Sequence, residues 1–96
     1  MTNEYEARWV SKKRVEEIRR AGRAREGVLL DSFNGFLIIE PVGSDLGDGP
    51  VLSRQEAGFE LQPVWCTGSQ TRLAQARRLL GLETPAPAEQ LAGFGA

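Results

Sequence analysis

Residues 28–40 read VLLDSFNGFLIIE, and the Asn34-Gly35 pair between two apolar runs decides the fold. Asn-Gly is the preferred pair for a two-residue type I′ turn, because both central residues of that turn need positive φ. Val28–Phe33 and Phe36–Glu40 are therefore expected to form a β-hairpin with Phe33 opposite Phe36, ended by Pro41 and Gly43. Strand alternation puts Leu29, Asp31, Phe33, Phe36, Ile38 and Glu40 on one face. Val28, Leu30, Ser32, Leu37 and Ile39 take the other. Both faces are largely apolar, so both call for cover.

Upstream, residues 4–9 alternate strictly, with Tyr5, Ala7 and Trp9 apolar against Glu4, Glu6 and Arg8. That period predicts a half-buried strand. A competing reading runs one helix from Tyr5 to Ala21. Ser11 favours the strand, since it has the chemistry of a helix cap and lies between Val10 and Val15, spaced as a hydrophobic staple. Val15, Ile18 and Ala21 form the apolar stripe of the helix that follows, and Gly22 ends it.

Downstream, residues 43–58 form a Gly/Asp/Ser-rich connection with room for a short strand at Val51–Ser53. It is long for a structureless loop, so it has structure or a role. Phe59, Leu61 and Trp65 alternate with polar neighbours and predict a further strand over 59–65. Pro63 confines that strand to an edge or a bulge. Thr67-Gly-Ser-Gln70 fits a capping box ahead of a helix carrying Leu73, Ala76 and Leu80, stopped by Gly81. Residues 83–96 are dominated by Pro, Ala and Gly and read as a flexible tail behind a single domain over 1–82.

The expected fold is α+β: a small antiparallel sheet built on a central hairpin with two helices, in the order β-α-β-β-(β)-β-α. Its helices would lie on one sheet face. If residues 4–10 were helical, the order would become α-β-β-β-α, that of double-stranded-RNA-binding domains. Gln70, Thr71 and Leu73 stand where the basic start of their last helix belongs, and no family is assigned.

Composition narrows the chemistry. The chain has no histidine, which removes the commonest general base, nucleophile partner and transition-metal ligand. Cys66 alone permits no internal disulfide and supplies one zinc ligand of four. No cofactor and no enzymatic activity are expected. No signal peptide or membrane span is read, and a cytoplasmic location is expected. The net charge of −1 conceals a segregation. Residues 1–30 carry eight Lys/Arg against five acids, residues 31–66 one against six, and residues 67–96 three against two. Such a layout can orient a partner without making the chain a polyelectrolyte binder.

Five features compete as sites. Lys12, Lys13 and Arg14 in one first helical turn oppose the helix dipole, an arrangement that suits phosphate contact or ion pairs with Glu16 and Glu17. Asp45 and Glu56 have calcium-loop spacing, but Gly47, Gly49 and Pro50 occupy positions where ligand oxygens or the obligatory glycine belong. Tyr5, Trp9, Phe59 and Trp65 could stack bases, though their alternation favours core packing. Cys66 has no nearby base in sequence and reads as inert. The hairpin face bearing Leu29, Phe33, Phe36 and Ile38 is the leading candidate, as a partner surface or homodimer interface, unless residues 43–58 fold over it. The expected function is that of a small regulator, inhibitor or assembly factor, a type frequent among phage and mobile-element accessory proteins. A nucleic-acid-binding module using the basic helices is the alternative.

Overall fold

A computed structural model describes residues 4–66 and 69–82. The expected flexible tail lies outside the described residues. The elements are β1 (Tyr5–Val10), α1 (Lys12–Arg20), a 3-10 turn (Ala24–Glu26), β2 (Val28–Ser32), β3 (Gly35–Pro41), α2 (Arg54–Glu60) and α3 (Gln70–Leu79). The strands form one antiparallel sheet in the order β1-β3-β2. The α+β architecture with a central hairpin is thus as the sequence predicts, and residues 5–10 are strand rather than helix.

Ser11 caps α1 by accepting the Arg14 backbone N–H. Val10 and Val15 are both buried in one cluster, and Gly22 ends the helix at φ +72°. At α3 the cap is Ser69, which accepts from the Arg72 N–H, two residues beyond the expected Thr67.

Three expectations need correction. First, the hairpin turn is Phe33–Asn34, because Ser32 pairs with Gly35 and Asp31 with Phe36. Asn34 does not take positive φ, so the turn is not type I′. The pairing differs from expectation by two residues, and the side-chain period is two, so the residues that remain in the strands keep their expected faces, while Phe33 moves into the turn. Second, residues 54–60 are helix. Ser53 accepts the Glu56 N–H while Glu56 accepts the Ser53 N–H, a capping box that turns the predicted strand start into a helix. Pro63 then sits in a turn closed by the Trp65 N–H donating to the Gln62 carbonyl, a position suited to its fixed φ.

Third, helices cover both sheet faces. On one, Ala7, Val28, Leu30, Leu37 and Ile39 pack under α2, α3, Leu52 and Leu61. On the other, Leu29 and Ile38 pack under Val15 and Ile18 of α1 together with Leu46. Leu46 comes from the 43–58 connection and is held there by Glu40. That carboxylate is fully buried, and its Oε1 accepts the N–H groups of Leu46 (2.7 Å) and Gly47 (3.3 Å). Glu6 stands directly across from Glu40 on β1, a like-charge pair that would be unfavourable alone. The Arg8 guanidinium lies between them, 3.4 Å from Glu6 and 3.5 Å from Glu40.

The outer edge of β1 is also paired, and that of β2 at its Ser32 end. Trp9 and Leu52 donate to the Pro50 and Ala7 carbonyls along β1, while Gly49 donates to Trp9. A β-carbon at Gly49 would stand 2.9 Å from the Trp9 carbonyl oxygen, so this strip needs a glycine to lie so close. The expected strand at Val51–Ser53 is reduced to one bridge, Arg8 with Val51. On β2, Ser32 bridges to Cys66 and the Phe33 N–H donates to the Trp65 carbonyl. Edges closed in this way offer less template for strand addition. Among the described residues no helix is long and apolar enough to cross a membrane.

Candidate docking surface at the hairpin tip

The turn after α2 brings the β2–β3 loop and the α2–α3 connection together. Glu60, at the last turn of α2, points its buried carboxylate at the hairpin. Asn34 Nδ2 donates to both of its oxygens (2.9 and 3.1 Å), and Ser32 Oγ donates to one (3.1 Å). The Phe33 N–H donates to the Trp65 carbonyl at 2.8 Å, and the Cys66 thiol donates to the Glu60 carbonyl. These bonds explain the displaced turn. Asn34 gives up the local left-handed conformation and spends its amide on Glu60, because a charged acceptor makes the stronger hydrogen bond.

Above this polar clamp lies an apolar surface. Phe33 is 75% exposed, Val64 74% and Phe59 47%, with the half-buried Trp65 between them. The Trp65 ring centroid is 5.8 Å from Phe33 and 5.2 Å from Phe59, both tilted, within the range of favourable aromatic pairing. Cys66 beneath is buried. Loss of hydration raises its thiol pKa, and the Glu60 charge adds to the effect, so its thiolate is disfavoured.

The residues singled out by sequence separate here. Phe33 is on the surface, but it meets Trp65 and not Phe36. Leu29 and Ile38 are buried under α1 and Leu46, and Phe36 is half-buried against the same cluster, so that hairpin face is not free for a partner. Tyr5 and Trp9 pack on the core, whereas Phe59 faces outward because residues 54–60 are helical. Phe59, Val64 and Trp65 were missed as a surface. The Ser53–Glu56 capping box was the signal that could have revealed them.

The basic helix start also changes meaning. Asp48 occupies the N-terminus of α1: its carboxylate accepts the Ser11 N–H at 2.8 Å and the Ser11 hydroxyl at 2.6 Å. Those bonds hold the Asp48 pKa below the usual aspartate value. An internal anion therefore sits where a phosphate would, and it relieves the dipole conflict. Arg14 is committed to the Leu46 and Asp45 carbonyls and to Glu17. Lys12 and Lys13 are exposed and form no ion pair among the described residues, so the expected pairs with Glu16 and Glu17 are replaced by Arg14–Glu17. Among the described residues no group of three or more His, Cys, Asp or Glu could hold a metal ion.

The chain matches no protein-family model, no curated protein and no solved structure.

Proposed function

We propose that this is a non-enzymatic binding protein that docks on another protein through Phe33, Phe59, Val64 and Trp65, as a regulator, inhibitor or assembly factor. The observation that carries this reading is the exposure of Phe33 and Val64 at adjoining turns whose backbones are hydrogen-bonded into place. Each such side chain forgoes about 1.5–3 kcal/mol available from burial. Clustered exposed apolar groups mark interaction surfaces, and aromatic anchors dominate interface energies. The clamp from Glu60 to Asn34 and Ser32 holds the anchor in place before contact, which lowers the ordering cost of binding. The Glu60 charge is turned inward beneath the patch, so a partner with an uncharged apolar groove fits best.

A photo-crosslinking amino acid placed at Val64 tests the reading in cells that express the chain. The expected result is one discrete adduct, lost on Phe33→Ser, while light scattering shows the purified chain to be monomeric. An adduct of the chain with itself would identify a second copy as the partner. Equal adduct yields from Val64 and from a control position at Glu16 on α1 would refute the proposal.

A further inference from the structure

On the molecule's surface between α1, the 3-10 turn, β2 and α3, a cleft of about 490 Å³ is lined by Arg19, Arg25, Arg72 and Gln75 beside the β2 edge at Val28 and Leu29. We infer that this cleft is a binding site for a small organic oxoanion, a phosphate monoester or carboxylate. This site is separate from the aromatic surface.

Three arginines from three different elements line one cleft, and none forms an ion pair among the described residues. Asp31 lines an adjoining pocket with Arg19 and Arg72 but forms no ion pair with either. Gathering like charges costs free energy, and an anion placed among them reverses the sign. Guanidinium groups match oxoanions with planar pairs of donors. Arg72 is oriented by a 3.4 Å hydrogen bond from Nη1 to the Leu29 carbonyl, which leaves its other donors for a ligand. Gln75 adds a neutral donor and acceptor one helical turn further on.

Val28 and Leu29 border the cleft at the edge of β2, but both side chains are buried, on opposite faces of the sheet, so recognition falls to the arginines and Gln75. The volume lies in the range of small-molecule sites, about 300–1,000 Å³. A nucleic-acid strand is the poorer match. Backbone binding typically enlists about 6–10 phosphate contacts, whereas the cleft offers three cations on a chain of net charge −1.

The test is an NMR titration of the full chain at low salt, following the arginine Nε–Hε signals with phenyl phosphate, benzoate and oligodeoxythymidylate. Saturable binding of phenyl phosphate or benzoate below about 10 mM is expected, a weak affinity consistent with so small a ligand. Shifts should be confined to Arg19, Arg25 and Arg72, and the tighter probe names the oxoanion. Arg25→Gln should weaken binding about tenfold, and Arg20→Gln, the same charge change outside the cleft, less than about twofold. Equal losses in both variants, no saturation, or an oligonucleotide that also shifts Arg20 would overturn the inference. Phe33→Ser should leave these titrations unchanged, which keeps the outcome independent of the docking surface.

Discussion

Glu40→Ala tests how the long connection is held over the sheet. The substitution removes the acceptor of the Leu46 and Gly47 N–H groups, both in buried residues. A buried amide left without a partner costs about 1–3 kcal/mol, so two cost about 2–6 kcal/mol. Removing a buried carboxylate also relieves its dehydration, which pulls the net toward the lower half of that range. Arg8 keeps Glu6 at 3.4 Å and Asp45 at 3.8 Å and is partly exposed, so it adds little. The net expectation is a loss of about 3 kcal/mol, which lowers the Tm of a domain this size by about 12–24 °C. Glu40→Gln retains one acceptor for Leu46 but turns an amide N–H toward Arg8, and should lose about half as much. Calorimetry reads the Tm, and amide hydrogen exchange at Leu46 and Gly47 reads the local effect. A fall of less than about 4 °C in Glu40→Ala, with protection at both amides unchanged, would show that Leu46 burial alone holds the connection.

Two further expectations concern stability. Gly58→Ala in α2 should raise Tm by about 2–8 °C, since alanine in a helix gains about 0.5–1 kcal/mol and the nearest foreign atom, Leu82 Cδ2, is 4.0 Å from the new β-carbon. Gly27→Ala should do the reverse in the same melting experiment, because its β-carbon would stand 2.6 Å from the Ile39 carbonyl oxygen. The Asp48 pKa is depressed in the folded state, so its contribution is present above the ordinary aspartate pKa and lost as pH falls through the lower folded value. Wild type should therefore exceed Asp48→Asn in urea midpoint at neutral pH, with the gap narrowing as pH falls below the ordinary aspartate pKa of about 3.9. A gap independent of pH would show that the Asp48 charge is not what matters.

Local rules suffice where a signal is completed by its own neighbours. Ser11 and Gly22 bound α1, and alternation over Tyr5–Val10 places β1, because a cap or a two-residue period is contained within a few residues. The two faces of the hairpin are likewise legible, and they survive a turn shifted along the chain since the parity of each strand is unaltered. The turn itself was decided from outside: Glu60, twenty-six residues from Asn34 in sequence, draws the amide away from its local preference. Cover of the Leu29–Ile38 face depends on Leu46, which Glu40 holds through backbone N–H groups that carry no residue signature. The candidate surface follows the same division. Phe33 is legible as a hairpin-tip aromatic, but its company of Phe59, Val64 and Trp65 arises only when α2 and the Pro63 turn fold back on the tip. Apolar side chains attract without direction, so sequence periodicity says which residues seek burial, and only the packed chain decides which of them remain outside.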